Sequence, residues 1–159
     1  MSVPAAHKSS EIDPAAEVER IALKLLATRE HSRRELARKL SSRGFDGDVM
    51  DAVLDRLVAE GSINEARLAE YYVAERMGKG FGPLRIRGEL REKGLADELI
   101  RQSFDPVSDA WPDCLAALCE RRFGNTPPVD RADYGRRARF LEQRGFPTDL
   151  IRRVLRWTD

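Results

Sequence analysis

The sequence predicts an all-α chain of three tandem three-helix repeats, about nine helices forming an elongated array. A helix–Gly–helix pattern occurs three times, and its copies lie 50 and 51 residues apart on Gly44, Gly94 and Gly145. No stretch alternates convincingly as a strand, whereas apolar residues recur at helical spacing throughout. Aligned without gaps, each copy has Leu four residues before its glycine (Leu40, Leu90, Leu141) and an apolar residue just after it (Phe45, Leu95, Phe146). Each glycine is expected at a left-handed position that ends one helix, with the next residue packing back on the preceding turn. An acid follows four residues on (Asp48, Glu98, Asp149), where it suits the positive end of the next helix.

In order along the chain, a polar tail is expected over residues 1–13, and repeats over 14–61, 62–105 and 106–159. The first helix spans about Pro14 to Thr28, with Ile21, Leu25 and Leu26 buried. Ser32 is a good N-cap for the second, which carries Leu36 and Leu40. The third carries Val49, Met50, Val53, Leu54 and Leu57. Ser62 with Glu65 three residues on reads as a capping box opening the second repeat, whose first helix bears Leu68, Tyr71, Tyr72 and Val73. Gly82-Pro83 starts the next helix and Gly94 stops it, before a helix bearing Leu99, Ile100 and Phe104. Asp105-Pro106 breaks the chain, and the third repeat opens on a helix from near Ser108 to Phe123. After a Pro-Pro loop over Gly124–Asp130, two final helices finish at Trp157.

Composition excludes several classes of function. Basic and acidic residues nearly balance, 28 against 27, so no global basic field marks a nucleic-acid binder. Five of the basic residues are lysine, which leaves 23 arginines. That bias hints at interfaces, because a planar fork suits phosphate or carboxylate, although a GC-rich genome produces it too. Cys114 and Cys119 have neither a zinc-ligand spacing nor a disulfide pattern, and read as buried thiols in a reducing compartment. His7 and His31 are isolated, and the carboxylates are spaced like solvated helix faces. Neither a cofactor nor an enzymatic activity is expected. No apolar run approaches membrane-spanning length and no signal core opens the chain, so a cytoplasmic protein is expected.

GKGFGP, Gly78 to Pro83, is the one Gly-rich loop. It lacks the order of a phosphate-binding loop and follows a helix, so it reads as a flexible inter-helix turn. Arg43, Lys93 and Arg144 precede the stop glycines, where a cation complements a helix C-terminus. Arg34/Arg38 and Arg87/Arg91 are like charges at i, i+4, a spacing that destabilises an isolated helix by about 0.2–0.5 kcal/mol. Gly88 lies inside the second pair, where glycine costs about 1 kcal/mol relative to alanine. These losses point to a basic, close-approachable face for an anionic partner. Its candidate residues are Arg34, Arg38, Lys79, Arg85, Arg87, Arg91, Arg136, Arg137, Arg153 and Arg156. The competing reading is a solvated surface, with Glu89 or Glu92 neutralising Arg87 and Arg91.

With these residues in hand, the sequence strongly resembles the RecX family, the regulatory proteins of the RecA recombinase. GFGPLRIRGELREKGL looks like the family's most recognisable stretch. INEARLAEYYVAERMGKG, with Tyr72 and Arg76, and SRRELARKL also match its pattern. The resemblance runs from about Val18 to Trp157 and is looser in the third repeat. It implies tandem three-helix repeats, binding to the RecA–DNA filament, and damping of ATP hydrolysis, strand exchange and coprotease activity in recombination and DNA repair. The alternative is a sequence-independent DNA-binding repeat protein held by phosphate contacts. Salt dependence of binding to bare DNA separates the two.

Overall fold

The structure, a computed structural model, describes residues 11–157. His7 and residues 1–10 of the expected N-terminal tail lie outside them. Nine α-helices and no strand are found among the described residues. They are α1 (Pro14–Thr28), α2 (Arg33–Ser41), α3 (Gly47–Ala59), α4 (Glu65–Gly78), α5 (Pro83–Glu92), α6 (Asp97–Phe104), α7 (Trp111–Phe123), α8 (Arg131–Gln143) and α9 (Thr148–Leu155). A single 3₁₀ turn at Asp105–Val107 takes up the expected break, so α7 starts later than Ser108.

The stop glycines build three Schellman motifs. Gly44, Gly94 and Gly145 have φ of 89°, 87° and 97°. The N–H of Phe45, Leu95 and Phe146 donates to the carbonyl of Leu40, Leu90 and Leu141 at 3.1, 3.2 and 3.1 Å. Each apolar follower thus folds back over the turn it caps. A fourth such motif, not anticipated from the sequence, ends α4. There Gly80 has φ of 83°, and the Phe81 N–H donates to the Arg76 carbonyl at 3.1 Å.

The chain divides into two compact units, residues 1–64 and 65–159. In the first, α1, α2 and α3 close over Val18, Ala22, Leu36, Leu40, Met50, Val53, Leu54, Leu57 and Ile63. Ile21, Leu25 and Leu26, expected as the buried face of α1, are only partly buried, and Val49 is 46% exposed. Val18 and Ala22 take the centre of that face instead. The second unit joins the second and third repeats in one core that runs from Leu68 to Leu155. Phe104 stacks on Trp111 at 5.9 Å across the junction between them. Of the residues read on α4, Leu68 and Val73 are buried and Tyr71 is 64% exposed. Asn64 directly precedes α4, so the box expected at Ser62 does not sit at the helix start. At the other end α9 stops at Leu155, and Trp157 lies against Tyr134 at 5.9 Å.

The α2 start is fixed by a capping box. The Glu35 N–H donates to the Ser32 hydroxyl at 3.1 Å, and the Ser32 N–H donates to the Glu35 carboxylate at 3.3 Å. Behind it His31 is fully buried. Its Nδ1 lies 3.0 Å from the Arg29 carbonyl and its Nε2 2.8 Å from the Lys39 ammonium. That network assigns the neutral tautomer, with Nδ1–H donating and Nε2 accepting. Burial lowers the His31 pKa, reinforced by the charges of Arg29 and Lys39, while the Arg29 carbonyl and Glu35 oppose it. A folded pKa below the unfolded one means the unfolded state binds more protons as pH falls. The contribution is therefore complete above the ordinary histidine range and is lost on acidification through it. The unfolding midpoint of the wild type should drop between pH 7.5 and 5.5, and His31→Gln should flatten that dependence. Equal slopes in the two proteins would remove His31 as the cause.

Candidate partner interface

The GKGFGP segment is neither a flexible turn nor a phosphate cradle. Its amides are consumed inside the protein. The N–H groups of Lys79, Gly80 and Phe81 cap α4, while those of Gly82 and Leu84 donate to the Arg144 and Gly145 carbonyls at 2.7 and 3.0 Å. The α4–α5 corner is thereby bracketed to the α8–α9 corner, backbone against backbone. Gly82 is buried, and a Cβ there would sit 2.5 Å from the Gly145 carbonyl. A Cβ on Gly145 would fall 2.6 Å from the Arg85 nitrogen. Only two glycines permit this approach.

Around the bracket, arginines stack on rings. The guanidinium carbons of Arg76, Arg85 and Arg144 lie 3.6, 4.6 and 4.6 Å from the Phe81 centroid. Arg144 also reaches Phe140 at 5.3 Å, and Arg122 covers the same ring at 5.1 Å. Arg76 holds Glu89 in a two-bond fork at 2.9 and 2.7 Å, and the Tyr72 hydroxyl donates to Glu89 at 2.5 Å. Arg85 adds a third donor at 3.2 Å. Burial pushes the Glu89 pKa up, but these three donors outweigh it and hold it below the ordinary value. Burial, with Glu89 beside it, pushes the Tyr72 hydroxyl up to about 12. Glu89, offered by the sequence as a neutraliser of Arg87 or Arg91, is therefore occupied elsewhere.

The remaining candidates separate into groups with different surroundings. Arg34 and Arg38 are exposed on α2 with no carboxylate against either among the described residues. Lys79 pairs with Glu75 at 2.7 Å, and Arg85 also donates to the Gln143 carbonyl at 3.2 Å. Arg87 rests 4.5 Å over the Phe104 ring, and exposed Arg91 pairs with Asp97 at 3.0 Å. Nothing lies within 4 Å of a Cβ built on Gly88, so no packing within the chain accounts for that glycine. Arg137 is turned inward. It pairs with Asp133 at 3.0 Å and donates to the Thr126 carbonyl at 2.8 Å, tying the Pro-Pro loop to α8. Arg136 reaches Asp133 at 3.4 Å from the exposed side. Arg153 and Arg156 are exposed at the end of the last helix, where Arg156 adopts a left-handed φ of 52°. Of the three cations preceding stop glycines, Arg43 caps its own helix through the Lys39 carbonyl at 3.1 Å. Lys93 instead sits 5.0 Å over the Tyr72 ring, and Arg144 serves the bracket. Among the described residues no group of His, Cys, Asp or Glu is placed to hold a metal ion. None of the helices described is long and apolar enough to cross a membrane.

Residues 20–57, 64–103 and 113–155 match, in order, the first, second and third three-helix domains of RecX. The chain belongs to the RecX family. Among curated RecX relatives, the regulatory protein RecX of Pseudomonas savastanoi pv. phaseolicola is 44% identical over 144 residues, which is 91% of this chain and 93% of that protein. The RecX of Halorhodospira halophila is 45% identical over 90% of this chain and 89% of its own length. That of Acidithiobacillus ferrooxidans is 46% identical over 90% and 89%. Two RecX crystal structures share the fold. One, a regulatory protein RecX, has a TM-score of 0.75 at 21% identity and covers 91% of this chain and 73% of its own. The other, RecX from Lactobacillus salivarius, has a TM-score of 0.73 at 23% identity and covers 91% and 96%. Each matched domain contains one of the aligned stop glycines, Gly44, Gly94 and Gly145 in turn.

Proposed function

We propose that this protein binds the RecA–DNA filament and damps its ATP hydrolysis, strand exchange and coprotease activity, modulating recombination and DNA repair from the cytoplasm. The observation that carries this reading is the match to all three RecX domains, with relatives named as regulatory proteins over nearly their whole length. It acts as a binding protein and not as an enzyme. Its filament-facing residues include the exposed pair Arg34 and Arg38 and the α5 pair Arg87 and Arg91, flanking the bare Gly88. Modest contacts at separate repeats add through their linkage, which raises avidity without any single strong site. Co-sedimentation with RecA filaments on single-stranded DNA tests the binding. The purified protein should turn over no ATP and should reduce DNA-dependent hydrolysis by RecA. ATP turnover that scales with this protein alone and survives repurification would refute the reading, as would failure to pellet with filaments.

A further inference from the structure

We propose that a groove between α7 and α9 seats an extended protein segment, one of whose carboxylates pairs with Arg156. Two adjoining cavities, of about 400 and 290 Å³, share Ala116, Val154 and Arg156 as lining. The larger is also lined by Glu120 and the Pro-Pro loop, the smaller by Asp113 and Arg153. Together they follow the chain of α7 from Pro112 to Gly124. At about 1.5 Å per helical residue that is about 18 Å, which holds about five residues of extended chain. The sequence offers Arg153 and Arg156 as basic candidates, but not the groove they line.

Arg156 stands where this chain otherwise uses glycine. Among the described residues the seven others with positive φ are all glycine, whereas Arg156 has φ of 52°. A Cβ is strained there, and glycine would end α9 at lower cost. Nothing within the chain offsets that strain. The Arg156 side chain is exposed and makes no hydrogen bond or ion pair among the described residues, and Arg153 is likewise unpaired. Strain kept without an internal reason points to a functional position. A planar guanidinium on an open rim takes a carboxylate through two parallel hydrogen bonds. The rest of the lining selects the occupant. Leu150, Val154, Pro127 and Pro128 give an apolar floor, and no aromatic ring lines either cavity, so unpaired bases have nothing to stack on. Asp113 and Glu120, one in each cavity, repel a chain that is charged at every unit. A peptide with one acid among apolar residues avoids both, and its carboxylate meets Arg156 where the cavities join. Arg137 does not compete for it, because Asp133 and the Thr126 carbonyl already hold that guanidinium.

The test uses the full chain and no recombinase, so this inference and the regulatory reading fail separately. A pentapeptide of leucine, alanine, aspartate, alanine and leucine, blocked at both ends, is titrated into isotope-labelled protein while its amide resonances are followed. Saturable shifts should centre on Ala116, Val154 and Arg156. Arg156→Gly should weaken binding at least tenfold, while its unfolding midpoint rises because glycine takes the left-handed conformation freely. Weaker binding in a more stable protein is a combination that a purely structural Arg156 does not give. The same peptide with asparagine at its centre should bind the wild type at least tenfold more weakly. The proposal is overturned if the aspartate peptide shifts no resonance in the groove, or if Arg156→Gly binds it as tightly as the wild type does. It is overturned equally if the asparagine peptide binds as well, or if the Arg156→Gly midpoint falls, which would give that side chain a duty within the fold. Displacement of the peptide by oligothymidylate at matched concentration would overturn it too, by making the groove a nucleic-acid site.

Discussion

Gly145→Ala should destabilise the protein by about 3 kcal/mol, roughly three times the effect of Gly44→Ala. From the repeat alignment alone, the stop glycines should be equivalent, each substitution costing about 1 kcal/mol or somewhat more for a Cβ in the left-handed region. At Gly44 that is the whole effect, since nothing lies within 4 Å of an added Cβ. At Gly145 the same Cβ meets the Arg85 backbone, with its nitrogen 2.6 Å away. Neither side can yield cheaply, because Leu84 donates to the Gly145 carbonyl and Gly82 to the Arg144 carbonyl. Overpacking of this kind adds about 1–3 kcal/mol. Gly82→Ala should behave similarly, although Gly82 has an ordinary φ of −94° and carries only the steric part. Denaturant melts of the three variants decide the matter. Equal losses at Gly44 and Gly145 would mean that the two corners do not meet in solution.

Reversing Arg34 and Arg38 to glutamate should weaken filament inhibition at least tenfold, about 1.4 kcal/mol of binding, with little effect on folding. The sequence makes Arg87 and Arg91 the more obvious pair to reverse. The structure makes them poorer probes, since Arg87 covers the buried Phe104 ring and Arg91 pairs with Asp97 across the α5–α6 turn. Charge reversal there would disturb packing as well as binding. Arg34 and Arg38 carry no such duty. Arg34 lies in the first turn of α2, where a carboxylate suits the helix dipole. Arg38 lies in the last turn, where it does not, so the two changes largely offset each other. Exposed substitutions of this kind usually move stability by about 0.5 kcal/mol or less. Added salt should bring the wild type towards the variant, because the exposed charges are screened. A folded double variant that inhibits at wild-type concentrations would leave Arg34 and Arg38 as solvated surface.

The helices, their stops and the threefold repeat were legible because they rest on local rules. Leu40, Leu90 and Leu141 are fully buried, and each receives the capping bond that its position before a glycine implies. The miss at Ile21, Leu25 and Leu26, which are only partly buried, came from reading every apolar residue near the stripe as buried. Local periodicity places a residue on a helix face but not the edge of the contact.

Gly80 was missed as a stop because the residue four positions before it is Arg76 and not the leucine of the other three stops, and Phe81 lies over that guanidinium. The GKGFGP segment shows most plainly what tertiary structure alone decided. A glycine in a loop is equally consistent with freedom and with crowding, and the difference lies in atoms about sixty residues away. By itself the sequence determined an all-α chain of three RecX-type repeats, because backbone periodicity and left-handed glycines are properties of short segments. The tertiary structure decided that the second and third repeats share one core, that Glu89 serves Arg76 and Tyr72, and which arginines remain unpaired. Those outcomes depend on close approach between segments distant in sequence, which no local pattern encodes.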